Sequence, residues 1–522
     1  MKKRLSLITI CIVVLALFLG ANTIGCGSSN NAVALPDEGD DVVDDNTPND
    51  DPAASETPYD QYYWVSKEGS DDNPGTQEEP FLTLFKAALE AYRTPKDIYV
   101  FPGTYKETSL LISPNVSIYG LGSRTIDPVK YRPVIDMRNC GRNYCSIFLV
   151  GASSGYNGGS DITIDGLKIY AETIGISAYE TALTLTNSEI IVSDNGSDHS
   201  TGVSVDSTSD TANIVIRNNT IKTEDSTIPN SRTTGLSIFS NGAIAVDILD
   251  NIISTGETED YTMAVSISNF GSNEQNILIR GNTISSSDAG RMSGGIFSIY
   301  THTLRIEQNT ISVGNVQDLP TVNEFTTGVY VYSDPAMLRT NATILNNAIY
   351  GGSGGNHAKG IYLDRNVDAL ILFNTIDAGS STSTDATGIY TFEGVSSRIH
   401  NNILCAGTNN QSYGIFELRG TMMELSHNLF CQDLDTFYET HAENALPQSY
   451  TDVAIINALD VEFANNIAGD PNFVDFAGHD YHTVFPSNAV DTGRSVTGIT
   501  YDLDGNARLR GQAPDIGAYE LR

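Results

Sequence analysis

IRGNTISSSDAGRMSGGIFSIYTHTLRIEQNTI, residues 279–311, opens and closes on the same frame. Asn282 and Asn309 each follow an aliphatic residue by three positions and precede Ile by two. The frame recurs outward in both directions as IRNNTI (216–221), ILDNII (248–253), ILNNAI (344–349), ILFNTI (371–376), IHNNIL (399–404) and LSHNLF (425–430). It sets a column of Asn219, Asn251, Asn282, Asn309, Asn347, Asn374, Asn402 and Asn428, with steps of 26 to 38 residues. A repeat of that length is the mark of a solenoid. The units are short, β-branched and separated by Gly, Ser, Asn and Asp turns, so they read as strands.

A second column runs through the middle of the opening stretch. Gly175, Gly202, Gly235, Gly295, Gly328, Gly360, Gly388 and Gly414 each precede an aliphatic residue, and Ala264 fills the remaining rung. Strand types alternating along one repeat and joined by turns predict an all-β fold, a single-stranded parallel β-helix. Parallel crossovers are right-handed in about 98% of cases, so the coil is expected to be right-handed. The Ile columns then point inward, and the Asn amides bond to turn backbones of neighbouring coils. That assigns the asparagines to scaffold.

The chain of 522 residues carries a net charge of −35, which excludes nucleic acid as a partner and argues against anionic membranes and polyanionic glycans. Residues 36–60, PDEGDDVVDDNTPNDDPAASETPYD, contain no Lys or Arg and read as an extended acidic tether. Ahead of them, Lys2, Lys3 and Arg4 precede an apolar run from Leu5 to Ala21 that is short for a membrane span. With Gly25-Cys26 at its end, this stretch resembles a bacterial lipoprotein signal, although Thr23 stands where that motif usually has Leu. The resemblance implies cleavage before Cys26, acylation of Cys26 and residence in the bacterial cell envelope, at the outer membrane or cell surface; ordinary secretion is the alternative. The expected organisation is a signal peptide at 1–25, a tether at 26–60, the β-helix at 61–466 and a C-terminal segment at 467–522. A monomer is expected, with no membrane contact besides the lipid.

Export implies oxidised cysteines. Cys405 and Cys431 each follow a ladder Asn by three residues, so they occupy one position on successive coils. Stacked strands lie about 4.8 Å apart, within disulfide reach. Cys140 and Cys145 are the other expected pair.

A β-helix must cap its open ends. PFLTLFKAALEAYR (80–93) has Leu82, Leu84, Phe85, Ala88 and Leu89 at helical spacing, which suits an amphipathic N-terminal capping helix. With the strand segment IYVFPGTYKE that follows and GSDDNPGT before it, this region resembles the opening of the pectin-lyase-like β-helix superfamily. Within that superfamily it is most similar to a domain-of-unknown-function group of bacterial surface proteins, and more distantly to family-nine pectate lyases. GDPNFVD (469–475), SNAVDTG (487–493), DLDGNARLRG (502–511) and DIGAYE (515–520) resemble a C-terminal element of exported β-helix proteins. The resemblance implies the fold and leaves activity open, because this fold carries lyases, hydrolases, adhesins and stalks.

Two residues past each Gly-column position stand Ser177, Ser204, Ser237 and Ser266, then Phe297, Tyr330, Tyr362, Tyr390 and Phe416. Alternation places this column on the outer face. Aromatic faces one coil apart suit sugar rings, so carbohydrate is the expected ligand of these five residues; a sheet-stabilising stack is the competing reading. Asp334, Asp364, Arg365, Glu393 and Arg419 gather beside the strip. Asp364, Arg365 and Glu393 are the catalytic candidates, as the paired carboxylates and base of a glycoside hydrolase or polysaccharide lyase. Surface ion pairs are the simpler reading. Lyase chemistry of the pectate type needs calcium and a Lys or Arg base, and past residue 170 only Lys222 and Lys359 remain as lysines. DLDGN (502–506) resembles the start of a calcium loop but lacks its later ligands, so it reads as a turn and no metal site is assigned. The balance favours a non-catalytic, surface-displayed β-helix contacting carbohydrate; the alternatives are a polysaccharide-degrading enzyme and a plain adhesive stalk.

Overall fold

A computed structural model describes residues 61–124, 132–138, 145–151, 161–193, 197–207, 213–271, 274–317, 324–407 and 411–521. The expected signal peptide and tether, Cys26 and Cys140 lie outside these residues, so the expected lipidation site and Cys140–Cys145 pairing do too. The described residues form a right-handed parallel β-helix. It has three long sheets of 14, 13 and 13 strands, and each coil contributes one strand to each sheet in turn.

One coil shows why. Asn276–Arg280 joins the first sheet, Thr283–Ser286 the second and Met292–Ile299 the third. The Asn frame therefore spans two strands, with the ladder Asn at the sharp corner between them. The sequence distinguishes two strand types where the structure has three, because the corner is too tight to leave a visible gap. Just before the ladder Asn, the chain adopts a left-handed backbone at Asn218, Asp250, Gln308, Asn346, Asn401 and His427 (φ 52–58°), conformations that Asn and Asp tolerate well. Phe373, at φ 53°, is the bulky exception.

The ladder works through both ends of each amide. Asn309 Nδ2 donates to the Ile279 carbonyl on the preceding coil at 2.9 Å and to Asn347 Oδ1 on the next at 3.0 Å. That same Oδ1 also accepts the Asn309 backbone N–H at 2.9 Å. The pattern repeats from Asn219 onward, and it extends past the eight predicted rungs to Asn466, whose Nδ2 donates to Asn457 Oδ1 at 2.8 Å. Ladder side chains such as Asn309, Asn347 and Asn374 are fully buried, and satisfied amides avoid the cost of burying a bare polar group. Inward columns such as Ile216, Ile248, Ile279 and Ile306 supply the apolar interior at 0% exposure. The Gly column has its own reason: a Cβ on Gly202 would lie 2.4 Å from both the Gly235 carbonyl oxygen and Ile221 Cγ2.

Both ends are closed. Helix α1 (Leu84–Arg93) is capped by Thr83, whose hydroxyl accepts from Lys86 N–H, while Glu107 accepts from the Leu84 and Phe85 N–H groups. Its buried face is Leu84, Ala87, Ala88 and Ala91; Phe85 and Leu89, expected to face inward, are exposed. Small residues let the helix lie close against the first coil, which the apolar spacing alone did not reveal. At the other end Gln448–Tyr450 pairs antiparallel with Thr436–His441 and covers that edge of the third sheet. Cys405 and Cys431 form a disulfide with Cα atoms 5.1 Å apart, at the position the ladder register assigned.

Candidate functional site

In the third sheet, residues one past each Gly-column position and most of those three past it, such as Val329 and Val331, enter the apolar core, with Ser298, Thr391 and Glu417 as buried polar exceptions. Those two and four past it fall on the outer face. The register aligns Ser177, Ser204, Ser237 and Ser266 in one outer column, continued by Phe297, Tyr330, Tyr362, Tyr390 and Phe416. The five rings form an unbroken ladder with centroid spacings of 5.5, 5.0, 5.0 and 5.2 Å. Exposure rises along it from 0% at Phe297 to 8% at Tyr390, and Phe416 is partly exposed. Tyr413 and His441 pack on the Phe416 ring, at 5.1 and 4.9 Å.

A second aromatic run escaped the sequence reading. Phe239, Phe270, Tyr300 and Tyr332 follow one another at 5.5, 5.0 and 5.3 Å on neighbouring coils. They stand four, six, five and four residues past their Gly-column positions, so no fixed offset finds them. Beyond Tyr332, the Arg365 guanidinium lies 6.0 Å from that ring and 5.4 Å from Phe392. Cation–π contact thus prolongs the run.

Charged side chains border both ladders, and each cation meets a carboxylate. Arg365 lies 3.8 Å from Asp364, which also accepts from the Tyr330 and Tyr362 hydroxyls at 3.1 and 3.5 Å. Arg419 pairs with Glu393 at 3.2 Å. The three catalytic candidates therefore fall into two separate pairs. Asp334 caps its own turn by accepting the Ala336 N–H. The more tightly built cluster was missed: Lys359 Nζ sits 3.5 Å from Asp385 Oδ2 and 4.0 Å from the centre of the Tyr390 ring. Asp385 also bonds His357 Nδ1 and accepts from the Thr387 hydroxyl at 2.8 Å. Burial pushes the Lys359 ammonium down. Burial works against the Asp385 carboxylate too, but Lys359 and His357 hold it well below the usual range. Its signal was available: these residues sit one and three positions before the Gly column, on the register that located the aromatics. Farther along, Asp260 is shared by Arg232 at 3.2 Å and Arg291 at 3.3 Å, and His441 pairs with Glu439 at 2.6 Å.

The C-terminal segment packs along the corner beside the Asn ladder and over the second sheet. Asn346 donates to the Tyr501 carbonyl, Asn401 both donates to and accepts from the Arg494 backbone, and Gln308 donates to the Asp502 carbonyl. Tyr481 donates to buried Asp377 at 3.0 Å. Arg508 is buried between Glu520 at 3.1 Å and the strained Phe373, whose ring lies 4.3 Å away. Burial and neighbouring Asp515 push the Glu520 carboxyl up to about 7. In the DLDGN turn, both Asp502 carboxylate oxygens are taken by donors from Asn506 and Glu520. Among the described residues no three His, Cys, Asp or Glu side chains gather closely enough to hold a metal.

No family model and no curated protein matches the chain. Among solved structures it is similar to a GH136 lacto-N-biosidase from Eubacterium ramulus, at 12% identity over 73% of this chain and 67% of that one, TM-score 0.35. It is also similar to pectate lyase Pel9A, at 14% identity over 88% of this chain and 96% of that one, TM-score 0.31. The third is tailspike protein 3 of bacteriophage CBA120, at 11% identity over 78% of this chain and 62% of that one, TM-score 0.27.

Proposed function

We propose that the protein is an exported, lipid-anchored, non-catalytic β-helix of the bacterial envelope that contacts carbohydrate along the outer face of its third sheet. The observation that carries this reading is the five-ring ladder from Phe297 to Phe416 on a surface where four earlier coils manage with serine. The earlier coils do without rings there, and an aromatic ring face is the chemistry that recognises pyranose rings. Phe416, partly exposed, is the accessible end of the ladder and the expected first contact, while the four rings before it, at 0–8% exposure, are buried and back it. Absence of catalysis fits the separation of Asp364 and Glu393 into independent ion pairs.

A glycan array on wild type and on Tyr390→Ala/Phe416→Ala tests the reading. The double variant should lose roughly tenfold or more in affinity, about 1.4 kcal/mol. Unchanged binding sinks the idea. One observation favours an enzymatic alternative: burial lowers the proton affinity of Lys359, as a base in β-elimination requires. Unsaturated product formed by wild type and abolished in Lys359→Met, with the fold intact, would replace the non-catalytic reading.

A further inference from the structure

The charges bordering the aromatic ladders decide which glycans the face admits. Beside the rings, Lys359 is held by Asp385, Arg365 by Asp364 and Arg419 by Glu393. Each of these cations lies within 4 Å of a carboxylate supplied by the protein itself. His357 and His441 are likewise engaged, by Asp385 and Glu439. A uronate or sulfate entering the strip meets guanidinium and ammonium groups whose field is already cancelled, and it brings a second negative charge beside the first. The net charge of −35 adds long-range repulsion of any polyanion. What remains on offer at the accessible end is the partly exposed Phe416 ring and the exposed Glu393 carboxylate, whose oxygens accept from sugar hydroxyls.

Building on the glycan-contact reading above, we infer that the third-sheet face is selective for neutral, hydroxyl-rich polysaccharides and excludes polyuronates, with the Glu393–Arg419 pair acting as a charge filter at its accessible end. Glu393 is exposed and Arg419 lies on the turn that follows the Phe416 strand. Removing the Glu393 charge uncovers a guanidinium at that end without disturbing the core.

Affinity electrophoresis in gels containing a neutral β-glucan, a neutral galactan or polygalacturonate reads the selectivity directly. At least one neutral polymer should bind wild type tenfold or more tightly than polygalacturonate, changing less than twofold between 50 and 300 mM NaCl. In Glu393→Gln the ratio of polygalacturonate to neutral affinity should rise at least threefold, and the gain should vanish in 300 mM NaCl. Tighter binding of polygalacturonate by wild type overturns the neutral-ligand assignment while leaving glycan contact standing. An unchanged ratio in Glu393→Gln overturns the filter. Failure to bind any polysaccharide overturns the proposed function itself, and this inference with it.

Discussion

The coils at 174–269 and those at 292–418 share one backbone plan and differ on the outside. Both carry the Asn ladder, the aliphatic interior and the Gly column. The earlier coils present Ser177, Ser204, Ser237 and Ser266 where the later ones present Phe297, Tyr330, Tyr362, Tyr390 and Phe416. The C-terminal segment likewise holds the corner of the later coils, at Gln308, Asn346, Phe373 and Asn401. The scaffold is therefore uniform along the solenoid, while its decoration is concentrated in one half. Function is to be sought where the two differ.

The largest expected effect tests the uniformity. Asn251→Ala and Asn374→Ala each remove a buried amide and strand its partners' donors and acceptors, so each should cost about 3–5 kcal/mol in denaturant unfolding. If the two costs differ more than twofold, the halves do not share one scaffold. Next, Cys405→Ser/Cys431→Ser opens a 26-residue loop and should lower stability by about 3 kcal/mol, measurable as a fall in unfolding midpoint. Third, Tyr362→Ala should cost about 2–3 kcal/mol through lost ring packing, whereas Ser237→Ala in the same column should stay within about 0.5 kcal/mol. Equal costs would erase the contrast between the halves.

A smaller effect concerns the tail. Glu520 keeps its proton to about pH 7 in the folded protein, against an ordinary value of 4.5. Between those values the folded state binds the extra proton, so this group's stabilising contribution is full below about pH 4.5 and is lost as pH rises through 7. Limited proteolysis should cut the C-terminal segment faster at pH 8 than at pH 5, by a difference on the order of 1–2 kcal/mol, and Glu520→Gln should flatten the trend. Cleavage among coils 174–269 should not follow pH in this way.

The fold was legible because a solenoid writes one structural demand many times. Asn at the corner, Ile inside and Gly where backbones nearly touch recur at fixed offsets, so register, disulfide and aromatic column all followed. Part of what escaped did not repeat at a fixed offset. The run Phe239–Phe270–Tyr300–Tyr332 slides across the register, and Asn466 closes the ladder after a 38-residue step with a different frame around it. Lys359 and Asp385 do sit at fixed offsets, one and three positions before the glycines, and were missed because those columns upstream of the Gly positions were not followed. Helix α1 buries its alanines and exposes Phe85 and Leu89, because close approach to the first coil outweighs side-chain hydrophobicity there.

The amide ladder also has a direction. Each rung's Oδ1 accepts from the preceding coil, from Ser188 N–H on Asn219 through to Asn428 on Asn466. Its Nδ2 donates to a carbonyl on the preceding coil and to the next residue of the ladder, ending on Asn457 beyond Asn466. Interior rungs are therefore interchangeable, and only the two terminal residues are specialised. A chain built this way can gain or lose a whole coil by in-frame duplication or deletion, with no orphaned bond at the junction. The length of the aromatic strip then becomes a matter of copy number, adjustable one ring at a time without redesigning the core.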